Sequence, residues 1–155
     1  WRMSRGIDNC NPGNIRLSKT FYQGEVQPSR DCNFKQFRSM AWGYRAMFML
    51  LDSYRRRHRL GTLRQMLSRY APPTENFTDG YIRFVSRTAG IDADKMLDTR
   101  SPRDMVPIVA AMSQIENGKR AVMADVHAGW NIFAEEHNLS RVALLDTDTP
   151  SDMAR

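Results

Sequence analysis

The spacing of apolar positions along this chain changes near residue 39. Before it, hydrophobic residues come singly or in pairs between turn formers. After it, they recur every three or four residues. Tyr44, Met47, Phe48, Leu51 and Tyr54 form one stripe at helical spacing, and Arg55, Arg56 and Arg57 follow where a helix dipole favours cations. Gly61 closes that helix. Thr62 is placed to cap a short one carrying Leu63, Met66, Leu67 and Tyr70, which Pro72 and Pro73 end. A third helix is predicted with Phe77, Tyr81, Phe84, Val85 and Thr88 on one side, stopping at Gly90. A fourth opens with Ser101 as cap, Pro102 in the first position and Asp104 in the first turn. It carries Met105, Ile108, Val109, Met112 and Ile115. After Gly118 a fifth is expected to present Val122, Val126, Trp130 and Phe133.

The first part reads differently. "DNCNPGNIRLS" has the Asn, Pro and Gly content of turns, and "TFYQGEV" and "CNFKQF" suit short strands around "QPSRD". The expected architecture is mainly α (α+β): a small irregular or β-containing lobe over 1–38 and a helical part over 39–137. Together they form a single domain over 1–140, with a polar, flexible tail over 141–155.

One residue breaks the helical pattern. At about 100° per residue, with Met105 at zero, Ile115, Ile108 and Met112 fall near 280°, 300° and 340° and Val109 near 40°. Glu116 falls near 20°, inside the apolar sector, while Ser113 and Gln114 read as ordinary solvent positions. A carboxyl aimed that way is partly withdrawn from water, which disfavours its charged form and raises its pKa. A carboxylic acid that stays protonated near neutrality suits the general acid of a glycosidase. The plain structural reading is a frayed helix end, with Glu116 in solvent or paired with Lys119 or Arg120.

Composition narrows the classes. The 155 residues hold 23 Lys and Arg against 17 Asp and Glu, a net charge of +6. Such a balance suits a polyanionic partner, whether nucleic acid, an acidic membrane or a bacterial wall. No apolar run approaches the roughly 20 residues of a membrane-spanning helix, and no stretch reads as a secretory leader. Cys10 and Cys32 stand outside any CxxC pair, and His58, His127 and His137 are scattered. No metal site and no organic cofactor are expected. The two cysteines read as separate thiols, with a bridge open to them only in an oxidising compartment.

The segments "RGIDNCNPGNIR", "YQGEV", "FKQFRSMAWGYRAMFMLLDSY", "APPTENFTDGYIRFV" and "QIENG" together resemble a group of lysozyme-like proteins of phages and prophages, whose members are virion-associated or structural peptidoglycan hydrolases. The likeness runs from Arg5 to Arg120. That group often carries a run of asparagines before PGN; here Asp8 and Cys10 interrupt it. A second likeness is to bacterial wall glucosaminidases and lytic transglycosylases, which end an apolar helix in an acidic motif. Their blocks stand in the opposite order here, so the resemblance implies a circularly permuted lysozyme-like core with the acid-bearing helix last.

The resemblance implies cleavage of peptidoglycan glycan strands by a muramidase or lytic transglycosylase, at the bacterial envelope, in the periplasm or in a phage virion. Glu116 would be the general acid, and Glu25 would face it from the β lobe as a second carboxylate. Asn11, Asn14, Glu75, Asn76, Thr78 and Tyr81 would contact sugar. From the pattern alone Glu75 reads first as a helix cap and Tyr81 as a core residue, Asn11, Gly13 and Asn14 read also as a turn, and Tyr22 and Trp42 as packing or sugar-stacking aromatics. Three other readings stay open. One is a wall-binding structural protein without activity. Another is a nucleic-acid binder using "SYRRRHRL", which lacks a recognition motif. The last is a Cys10 hydrolase, which lacks a histidine in triad-like context.

Overall fold

The computed structural model describes residues 4–74 and 76–143. Among them the chain is mainly helical with one small antiparallel sheet. A short α1 (Arg5–Asp8) leads into a turn-rich lobe whose sheet joins β1 (Glu25–Val26) to β2 (Gln36–Phe37), with Glu25 opposite Phe37. Then come α2 (Met40–His58), α3 (Leu63–Tyr70), α4 (Thr78–Ala89), α5 (Pro102–Asn117) and α6 (Met123–Glu136). This is the α+β arrangement, with a small β-containing lobe first, that the apolar spacing implies.

The core is built where stripes meet. Helix α2 packs most extensively on α6, and α4 on α5. Phe48 of α2 meets Trp130 of α6 edge to face at 5.1 Å, and Trp130 meets Phe133 at 5.2 Å. Gly129 lets the helices approach: a Cβ there would lie 2.6 Å from Tyr44 Cβ and 2.8 Å from the Ala41 carbonyl oxygen. Tyr44 in turn shares a 2.7 Å hydrogen bond with Ser113 across the buried α2–α5 seam. Ser113 is therefore an interior residue, where the pattern placed it in solvent. Its hydroxyl is tolerated because the Tyr44 phenol satisfies it.

Caps and faces refine the helix assignments. Thr62 and Gln65 form a full capping box on α3. Ser101 occupies the cap position of α5 without a side-chain cap bond, and Pro102 starts the helix. The inward face of α4 is Thr78, Tyr81, Ile82 and Val85. Phe77 stands outside the helix at 77% exposure, and Thr88 is exposed, so neither belongs to the core face. Val122 is the residue before α6 and is also exposed. The stretch expected to begin a flexible tail is anchored at its start. Val142 N–H donates to Asn131 Oδ1 at 2.7 Å, and Asn131 Nδ2 donates to the Val142 carbonyl at 2.9 Å. The rest of that tail lies outside the described residues.

The end of α5 meets the beginning of the chain. Gly118, left-handed at φ 72°, turns the chain away after Asn117. Asn117 Nδ2 donates to the Pro12 carbonyl at 2.8 Å, and the Ser4 hydroxyl donates to Asn117 Oδ1 at 2.6 Å. These bonds lay the Asn-rich N-terminal loop beside Glu116.

Candidate functional site

Glu116 sits in the last turn of α5, half-buried, on the wall of an open cavity of about 420 Å³. The turn-rich loop supplies one wall through Gly13, Asn14, Arg16 and Thr20. Tyr54 of α2, Tyr70 of α3 and Asn76 before α4 supply others. Tyr22 and Arg69 also reach it. The site thus lies where the lobe meets the helices, which gives it both polar turn groups and aromatic helix residues.

Both carboxyl oxygens of Glu116 are held. Asn14 Nδ2 donates to Oε1 at 2.9 Å, and the Tyr81 hydroxyl donates to Oε2 at 2.9 Å. Asn14 takes a left-handed backbone, φ 49°, and leaves its own Oδ1 buried without a hydrogen-bond partner. A backbone that asparagine tolerates better than most residues, and an unmatched oxygen, accompany an amide aimed at the acid. Burial lifts the Glu116 carboxyl above its ordinary pKa. The bonds from Asn14 and Tyr81, and the nearby charge of Arg16, pull it partway back. The group is oriented on two sides, and burial favours the proton-bearing state.

The tyrosines share this environment. Tyr81 and Tyr70 are both pushed well above the usual phenol range, first by burial and then by the Glu116 charge. The Tyr70 hydroxyl donates to the Gly13 carbonyl and ties α3 to the loop beside Asn14. Both phenols therefore remain neutral donors through the range in which a carboxyl titrates.

The other expected site residues divide. Asn14, Asn76 and Glu116 line the cavity, and Tyr81 touches it through the acid. Asn11 does not: it is fully buried, accepts from Ile15 N–H and donates to the Ile15 and Lys35 carbonyls, so it builds the turn. Thr78 is buried and donates to the Ala71 carbonyl, fixing the entry to α4. Glu75 lies outside the described residues.

Glu25 is a correction. The resemblance implies that it faces Glu116 across the cleft. Instead both its oxygens lie 3.1 Å from Lys35 Nζ, and Oε1 also accepts from Tyr22 N–H. The side chains of the pair are 2% and 0% exposed, and Glu25 is not among the cavity residues. A carboxylate this enclosed by a cation is a strut of the lobe rather than a reagent.

Tyr22 is a cavity residue, whereas Trp42 lies outside it and carries the Arg38 guanidinium 5.1 Å from its ring. Arg16, Arg69, Tyr54 and Tyr70 are cavity residues that spacing alone did not single out. The last two lay on recognised helix stripes, but nothing in a stripe says that its end opens on a cavity. Cys10 and Cys32 form no disulfide. Among the described residues no group of three His, Cys, Asp or Glu side chains comes together to hold a metal, and no helix is long and apolar enough to cross a membrane.

No family model matches the chain. It is, however, 30% identical over 125 residues to Protein P5 of Pseudoalteromonas phage PM2, an alignment covering 79% of this chain and 76% of the phage protein. At that identity and coverage, the chain belongs to the family of phage PM2 Protein P5.

Proposed function

We propose that the cavity beside Glu116 is the active site of a peptidoglycan-cleaving enzyme of the muramidase or lytic transglycosylase type. The observation that carries this reading is the acid itself, withdrawn from water, gripped by Asn14 and Tyr81, and facing a space open to solvent. A carboxyl whose proton burial holds more tightly than usual can give it to a glycosidic oxygen as the bond to the sugar C1 breaks. The bond proposed is the β-1,4 link between N-acetylmuramic acid and N-acetylglucosamine. Tyrosine rings and amide groups around the acid offer apolar faces and hydrogen bonds of the kinds a sugar uses.

With Glu25 locked to Lys35, Glu116 is the only carboxyl among the described cavity residues. This favours the transglycosylase route over hydrolysis. Glu116 protonates the leaving oxygen, and the C6 hydroxyl of the muramic residue then attacks C1. The C6 hydroxyl returns its proton to the Glu116 carboxylate, leaving a 1,6-anhydro end and a restored acid. Kinship with a phage protein supports an association with phage, and on this reading the protein works in a virion or at the envelope of a bacterium.

Mass spectrometry of muropeptides after digestion of purified peptidoglycan tests the reading. Anhydro-muropeptides are expected from the wild type and none from Glu116→Gln. Reducing ends instead would replace the transglycosylase route by hydrolysis. Undiminished cleavage by Glu116→Gln would overturn the assignment of the acid.

A further inference from the structure

The arginine run that ends α2, "RRRHR" over 55–59, lines none of the cavity beside Glu116. Cations at a helix C-terminus complement its dipole, which accounts for part of this charge. It does not account for the surroundings. Arg55, Arg56 and Arg59 line a second, open hollow of about 630 Å³, whose other wall is Leu97, Asp98 and Thr99. The acceptors there are already taken. Buried Asp52 receives Arg56 Nε at 3.0 Å, the Thr99 hydroxyl at 2.8 Å and Arg100 Nη2 at 3.4 Å. Asp98 Oδ1 accepts from the Arg100 backbone N–H at 3.0 Å, and Arg100 Nε is buried with no acceptor. The side chains of Arg55, Arg57 and Arg59 make no hydrogen bond or ion pair with another described residue. Guanidinium groups thus outnumber the oxygens available to them.

The backbone of Arg59 is a second observation. It closes α2 in the left-handed region, φ 56° and ψ 33°, which suits glycine and strains an arginine. The cap is made by its backbone N–H, which donates to the Tyr54 carbonyl, and a glycine would make the same bond. The exposed side chain adds nothing to the turn. Its guanidinium is left for a group outside the chain.

We propose that this hollow is a docking surface for nucleic acid, which it holds by the phosphate backbone without reading bases. A guanidinium fork meets two phosphate oxygens at once, and the cations lining the hollow are all arginine. No aromatic or amide side chain lines it to meet a base, so its contacts position a strand and carry no sequence information. A motif for reading bases is then not needed. Shape argues against a lipid partner. A concave wall admits the ridge of a strand, whereas a bilayer surface is broad and rewards apolar insertion. The apolar lining residue, Leu97, is itself buried. Met96, beside Gly61 and exposed, is the nearest side chain that could enter a bilayer, so the experiment sets lipid against DNA. The surface is separate from the proposed cleavage, and its test does not depend on it.

Fluorescence anisotropy of the whole chain with a short labelled DNA duplex tests this. Each phosphate contact contributes about 0.9 to the slope of log affinity against log salt. The Arg55→Gln, Arg59→Gly variant should therefore lose about 2 from that slope and bind about tenfold or more weakly at low salt. A duplex of different sequence should bind the wild type equally. Arg83→Gln with Arg87→Gln removes the same charge from exposed positions on α4 and should leave the affinity nearly unchanged. Arg59→Gly alone should keep or raise the melting temperature while weakening binding, which separates the side chain from the cap. Wild-type affinity in the double variant overturns the proposal. An equal loss in the α4 variant reduces binding to net charge and also overturns it. So does binding to phosphatidylglycerol vesicles that depends on Arg55 and Arg59 when DNA binding does not. Unequal affinity for the two duplexes refutes docking through phosphates alone. A lowered melting temperature with unchanged affinity in Arg59→Gly assigns that arginine to the fold and removes it from the surface.

Discussion

The Tyr81 hydroxyl stands 2.9 Å from Glu116 Oε2 and joins the inward face of α4 to the last turn of α5. The bond favours the charged form of the acid, so the residue that orients Glu116 also limits how far its pKa rises. Tyr81→Phe keeps the ring and removes the donor. The Glu116 pKa should then rise, and the alkaline limb of the kcat/KM profile should move to higher pH. A pH–rate series on soluble glycan strands checks this. The lost bond should also lower stability by about 1 kcal/mol.

Glu116 itself should cost the fold stability at neutral pH. Its folded pKa is raised, so between the ordinary carboxylate value and the folded one the native state binds more protons than the unfolded state. Over that window unfolding free energy falls as pH rises. Glu116→Gln has no such proton to lose. Its melting temperature, relative to wild type, should therefore increase through the same window and level off above it. A variant melting temperature that falls relative to wild type as pH rises through that window would contradict the burial argument.

Glu25 and Lys35 hold the lobe together. Glu25→Gln leaves the Lys35 ammonium enclosed without its anion, and the expected loss is about 3–5 kcal/mol. Glu25→Leu combined with Lys35→Met should recover much of it, because the site is dry. Urea unfolding measures both. Cleavage per folded molecule should be unchanged in Glu25→Gln; a fall of about a hundredfold or more, the scale of acid–base catalysis, would restore Glu25 to the chemistry.

Gly129→Ala inverts a familiar rule. In a helix interior alanine is ordinarily better than glycine by about 1 kcal/mol. Here the added methyl meets Tyr44 Cβ and the α2 backbone, which cannot yield without parting the helices. A net loss of about 1–3 kcal/mol in chemical denaturation is expected.

The helices were legible because amphipathic spacing is a local property, and the core stripes of α2, α3 and α5 sit where spacing put them. Glu116 was legible for the same reason, as a carboxyl out of phase with its helix. Errors arose where a distant partner decided the outcome. Ser113 is inside because Tyr44 awaits it, and Glu25 is withdrawn because Lys35 encloses it. Asn14 could be named from its turn-rich surroundings, but its bond to Glu116 spans 102 positions and leaves no mark in either segment. Phe77 followed the helical period by coincidence, one residue before the helix begins.

The latch between the Asn-rich loop and the end of α5 has a consequence for biosynthesis. Asn14 and Ser4 are made early, while Glu116 and Asn117 emerge about a hundred residues later. A nascent or truncated chain that stops short of α5 carries one wall of the cavity and no acid. The cavity would thus be completed in a single late step, when the two distant segments close on each other, and on the proposed reading any activity would come with that step.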